Sequence, residues 1–197
     1  VDLLDGGVTA GHVDEALVGE HVWTKTPPED WEIDDSEMSS IDDPDSGVTE
    51  WEGWSFADRL WWTATAGDQN RSQFTKGIGT VAIAEPDEWD DKGAPVATYG
   101  YFNSYLTTAP IPVGDLAGGT GALRFSSSWR PECCDDAGPD GEVANNQTAT
   151  VTVSFDGGAP VEILRWDSDS GSPTFHPDSE NETVDIEVEV PAGATSA

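Results

Sequence analysis

Apolar and polar residues alternate most cleanly towards the end of the chain. Ala149, Val151, Val153 and Phe155 fall on one face, with Thr148, Thr150, Thr152 and Ser154 on the other. That period of two is the signature of a half-buried strand. Asp156-Gly157-Gly158 follows as a hairpin signal, and Pro160 to Trp166 returns as the partner strand. In a last strand Ile186, Val188 and Val190 alternate with Asp185, Glu187 and Glu189, so its outer face is all acid. Upstream, Ile78 to Ala84, Ala97 to Leu106 and Gly121 to Trp129 also read as strands, rich in β-branched or aromatic residues or alternating through Leu123, Phe125 and Ser127. Ser55 to Trp62 is the one stretch here that could be helical, but a strand, or a strand with a short turn, is favoured.

Residues 1–50 lack this pattern. Nine acids fall between Glu29 and Asp45 without a positive charge, and Pro27-Pro28 and Pro44 break any helix. Only Gly11 to Val22 suits a short helix or strand. The expected fold is mostly β: an antiparallel β-sandwich of jelly-roll type over residues 51–197, with residues 1–50 as an irregular acidic leader packed on it. The small residues of Pro191 to Ala197 read as a loop leading towards another strand, which would leave the sandwich incomplete at its C-terminus.

Charge narrows the setting. Thirty-nine acidic residues oppose eight basic ones, a formal net charge of -31 on 197 residues. Such a chain repels nucleic acid and anionic lipid, and its basic residues are scattered singly. No run of about 18 apolar residues is present to insert in a membrane. Self-repulsion on this scale is relieved by salt, which screens it, or by divalent cations, which neutralise it locally. Both conditions point to an extracellular or cell-surface site, in halophilic or marine surroundings. Val1 reads as the start of a processed or trimmed chain.

Candidate chemistry centres on Glu85-Pro86-Asp87-Glu88-Trp89-Asp90-Asp91. Five carboxylates in seven residues, bent by a proline, supply hard oxygen ligands for calcium, with Glu85, Asp87, Glu88, Asp90 and Asp91 as the set. Asp167-Ser168-Asp169-Ser170-Gly171 is not an EF-hand, because its glycine comes one position early and Asp178 stands where the long glutamate belongs. It reads as a turn with incidental cation affinity. His12, His21 and His176 form no zinc spacing, and no G-x-S-x-G is present, so no catalytic residue is assigned and the chain is not expected to be an enzyme.

Cys133 and Cys134 are adjacent; they suit a vicinal disulfide, bridges to another chain, or free thiols in a metal site, with no histidine near in sequence to help. Asn70, Asn146 and Asn181 begin N-x-S/T sequons, which matter in a glycosylating organism. Among nine tryptophans, Trp61 and Trp62 are neighbours, so on a strand one faces in and one out. The outward ring suits a sugar platform, or packing under the leader.

Three stretches taken together resemble a non-catalytic jelly-roll or MAM-like module of exported bacterial proteins. They are Gly53 to Trp62, Ala66 to Phe74 and Gly79 to Asp91, and the likeness continues through Ser128 to Glu132, Gln147 to Val151, Phe155 to Gly158 and Leu164 to Asp169. Some of those proteins also carry calcineurin-like or purple-acid-type metallophosphoesterase domains. The resemblance implies a sandwich that accompanies enzymes and binds glycans or builds surfaces; no phosphoesterase metal motif is present to transfer that activity. Such modules continue into further strands, so another polypeptide, or more of this chain, is expected to complete the sheet. The expected function is therefore an extracellular, calcium-stabilised structural or adhesive module, a subunit of a larger surface assembly. The alternative is a carbohydrate-binding module accompanying a secreted hydrolase or phosphoesterase, with polysaccharide as partner.

Overall fold

The computed structural model describes residues 23–38, 48–65, 69–90, 102–131 and 146–197. Among the described residues the architecture is mostly β, and every pair of named strands is antiparallel: one three-stranded sheet and three two-stranded ones. The chain divides into two compact units, Val1–Ala109 and Pro110–Ala197.

In the first unit, β3 (Trp54–Asp58) runs between β1 (Trp23–Thr24) and β4 (Thr80–Ala84). Their registers run Trp23↔Ala57 on one side and Trp54↔Ala84 to Asp58↔Thr80 on the other. A second pair joins β2 (Glu32–Asp34) to β5 (Tyr105–Thr107). Both β1 and β2 come from the stretch expected to be irregular, so part of the leader is built into sheets. Gly53 takes a positive φ of 71°, and a Cβ there would lie 2.4 Å from the Asp35 carboxylate. Asp35 in turn accepts a hydrogen bond from Ser104 Oγ, tying the leader to the segment before β5.

The expectation of a strand through Ser55 to Trp62 is half right. Strand β3 ends at Asp58 and helix α1 (Arg59–Thr65) begins there. The Asp58 carboxylate Oδ1 accepts the backbone N–H of Leu60 at 2.9 Å and of Trp61 at 3.1 Å. A side-chain oxygen meeting those otherwise orphaned donors is a helix N-cap. A second short helix, α2 (Pro86–Asp90), starts with proline at its first position, where no N–H is needed. Met38, Trp51, Ala57, Trp62, Phe74, Val81, Ile83 and Trp89 form the core of this unit.

The second unit holds two long ladders. Strand β6 (Thr120–Trp129) pairs with β9 (Ser179–Glu189), from Thr120↔Glu189 to Trp129↔Ser179. Strand β7 (Thr148–Val153) pairs with β8 (Val161–Asp167), with a register shift after Val151. The hairpin turn falls where expected: Asp156 and Gly157 have φ of 49° and 71°, and Gly158 N–H donates to Phe155 O at 2.8 Å. Two successive positive φ values match the right-handed twist of the flanking strands.

The tail is not a free loop. Ala197 N–H donates to Ile111 O, Ile111 N–H returns to Ala197 O, and Val113 N–H reaches Thr195 O. The Asp156 carboxylate accepts the N–H groups of Thr195 and Ser196, both at 3.0 Å, and Thr195 Oγ1 at 2.6 Å. Val113, Val190 and Ala194 pack beneath this clasp. No described helix is long and apolar enough to cross a membrane.

Replacing Asp58 by Ala should cost about 1 kcal/mol, lowering Tm by roughly 2–4 °C, whereas Asp58→Asn should keep most of the cap. Thermal melting of the two variants checks this.

Candidate functional site

The acidic run after β4 folds so that part of it turns inward. Arg71 leads a short 3-10 turn (Arg71–Gln73), entered through Gln69 and Asn70 at positive φ. Its side chain is only 4% exposed. Nη2 lies 2.5 Å from Glu88 Oε1 and 3.3 Å from Glu85 Oε2. The guanidinium stands 5.6 Å from the Trp62 ring centroid, and Trp62 Nε1 donates to Glu85 Oε2 at 3.1 Å. Phe74 meets Trp62 edge-on. One guanidinium thus serves two carboxylates and an indole.

Burial pushes the Glu85 carboxyl above its usual range; Arg71 and the Trp62 N–H pull it back, and Glu88 and Asp87 add to the rise. The other guanidinium nitrogen, Nη1, is buried without a hydrogen-bond partner.

This arrangement bears on the expected calcium ligands. Glu85 and Glu88 point to Arg71, and with Trp89 they share the face that helical spacing gives to positions i, i+3 and i+4. Asp87 lies off that face, in the first turn of α2. The Asp90 side chain and Asp91 lie outside the described residues. Among the described residues no group of three or more His, Cys, Asp or Glu side chains is placed to hold a metal ion.

The two neighbouring tryptophans part company because they lie on a helix. Trp62 is buried, so it has no free face for a sugar. Trp61 is half-buried, its ring stacked on Trp51 at 6.1 Å and 6.5 Å from that of Trp23. Trp23 belongs to the leader, so the Trp61 ring contacts the leader. Cys133 and Cys134 lie outside the described residues. Asn70 and Asn146 are exposed, while Asn181 is half-buried within β9.

A second constellation, in the other unit, has no motif in the sequence. His176 lies flat on Trp166, with centroids 4.1 Å apart and planes 9° from parallel. Its Nε2 lies 3.0 and 3.1 Å from the two Glu182 oxygens. Its carbonyl accepts Trp129 Nε1–H at 3.1 Å, and its N–H donates to Asp167 O at 3.0 Å.

The Asp167 carboxylate accepts Thr148 Oγ1 at 2.6 Å, Ser172 Oγ at 2.7 Å and Thr174 Oγ1. These hydroxyls, with a smaller contribution from Arg165, lower its pKa to about 2. Asp169 Oδ1 accepts the Gly171 N–H at 2.7 Å. The turn that looked like an incidental cation loop therefore spends these carboxylates on its own hydrogen bonds. Register and loop closure assemble this group, bringing together residues up to 47 positions apart. Only the abundance of Ser and Thr after Asp167 hinted at it.

Comparison with protein-family models, curated proteins and solved structures returns no match. The functional reading therefore rests on this chain's own residues.

Two outcomes are expected. Arg71→Met should destabilise by about 3–5 kcal/mol, because it strands the buried Glu88 carboxylate and the half-buried Glu85 one. The triple variant Arg71→Met/Glu85→Gln/Glu88→Gln should regain most of that loss in urea unfolding. The Asp167 carboxyl is lowered from 3.8 to about 2 in the folded state, so its contribution is present above the unfolded value. It should disappear as pH falls from about 4 to about 2. Over that window the stability gap between the native chain and Asp167→Asn should narrow in acid titrations.

Proposed function

We propose that this chain is an extracellular structural or adhesive module, a sandwich of jelly-roll type stabilised by cations, and one piece of a larger assembly. The observation that carries this reading is the acid row of β9. Asp185, Glu187 and Glu189 all stand exposed on one face of the strand. Across the ladder, Arg124 faces Asp185 and binds it, but Glu187 faces Ala122 and Glu189 faces Thr120. With a net charge of -31, the chain has few cations of its own to set against such rows. The medium must then supply them, either as screening salt or as divalent ions at exposed carboxylates.

The ladders β6–β9 and β7–β8 support the sandwich. Each sets an apolar row against a polar one, as two-layer β folds do. An acidic, cation-dependent surface suits a protein that holds material together in salt water.

Thermal melting across a sodium chloride series, repeated with calcium chloride at matched ionic strength, tests the proposal. Tm should rise with sodium chloride, by about 2–4 °C for each kcal/mol of repulsion relieved, and further with calcium. No added effect of calcium would remove it as a resident ion. No effect of either salt would sink the cation-stabilised reading.

A further inference from the structure

We propose that the outer edge of β9 accepts a strand from a partner polypeptide whose side chains alternate apolar and basic. The proposal rests on the assembly reading above and adds the chemistry of the partner. Strand β9 spans 11 residues and pairs with β6 along one edge. Among the described residues, no strand pairs with its other edge over Val184–Glu189. Such an edge presents unpaired N–H and C=O groups, a template for one more strand.

The two faces of β9 state what that strand must carry. Val184 is buried, whereas Ile186 and Val188 are only half-buried, and they continue the apolar row set by Leu123 and Phe125 of β6. The opposite face is the exposed row Asp185, Glu187 and Glu189. Side chains of an added strand alternate with the same period of two. Its apolar residues would extend the row of Val184, Ile186 and Val188, and its basic residues would fall beside the carboxylates. Opposite charges placed across a pair contribute about 0.2–1 kcal/mol each, and like charges oppose pairing.

This excludes the obvious alternatives. A second copy of β9 would set acid against acid. Within residues 1–197 no stretch carries the alternating basic pattern: the eight basic residues never fall two positions apart. Strand β6 already shows the pattern once, where Arg124 binds Asp185 across the ladder. The partner repeats on the open side what β6 does at a single position.

The test uses the full chain and a labelled synthetic peptide, Lys-Val-Lys-Val-Lys-Val-Lys, followed by fluorescence anisotropy with and without calcium chloride. Controls are a peptide of the same composition with its lysines and valines in separate blocks, one with glutamate for lysine, and one N-methylated at alternate residues. The alternating peptide should bind and the three controls should bind at least about tenfold more weakly. Glu187→Lys/Glu189→Lys, with an unchanged circular dichroism spectrum, should weaken the alternating peptide by about tenfold or more. Equal binding of the block or N-methylated peptide would overturn the proposal, because charge alone would then explain it. So would failure of the alternating peptide to bind. Binding without any salt dependence of Tm would uphold the strand edge while the cation-stabilised reading fails; salt-dependent melting without binding would do the reverse.

Discussion

A chain with eight cations and thirty-nine acids buries one of the cations. Arg71, 4% exposed, sits between Glu85 and Glu88 with Trp62 beside it, and the first unit is organised around that choice. It draws α2 inward through Glu88, holds the start of α2 through Glu85, and fixes the ring of α1 that closes the core. Taking charge out of water is costly unless the partners are well placed. Here two carboxylates and a π-face surround one guanidinium, and burial still pushes the Glu85 carboxyl above its usual range. Removing one partner of such a buried set is costly, whereas replacing the whole set by neutral groups of similar volume is often close to neutral.

The second unit uses acid in the opposite sense. Asp156 and Asp167 act as acceptors at turns, the first clasping Thr195 and Ser196, the second gathering three hydroxyls. Hydrogen bonds to the ionised form lower both carboxyls, whereas burial raises Glu85. One residue type thus supplies both an internal counter-charge and a set of turn fasteners. The acids left over are the exposed ones, such as the row on β9. In the reading proposed above, ions or a basic partner supply their counter-charge. The proposed cation dependence and the proposed edge pairing both start from that excess.

Local signals in the sequence settled the elements whose causes are local. The period-two alternation of Thr148 to Ser154, the Asp156-Gly157 turn and the acid-faced last strand appear as β7, the hairpin and β9. The acidic run, the paired tryptophans and the single arginines were legible as residues but not as contacts. Whether Glu85 and Glu88 face solvent or Arg71 depends on a helix of five residues and on a turn more than ten positions upstream. Strand period sets Trp61 and Trp62 on opposite faces, but the Asp58 cap starts a helix at this point. The outcome still places one ring inside, for a different geometric reason. Strands β1 and β2 are too short to announce themselves and exist because β3 and β5 offer edges to them.

By itself, then, the sequence determined composition, charge, the mostly-β class and the long strands, because each follows from neighbours along the chain. Tertiary structure decided which carboxylates are spent internally and which remain exposed. It also decided that His176, Trp166, Trp129 and Glu182 meet, and that the tail is tied to Ile111 and Asp156. Those outcomes depend on contacts between distant segments. Solvation, counter-charge and hydrogen-bond partners are properties of a place in space, and no stretch of residues carries that information until the strands have paired.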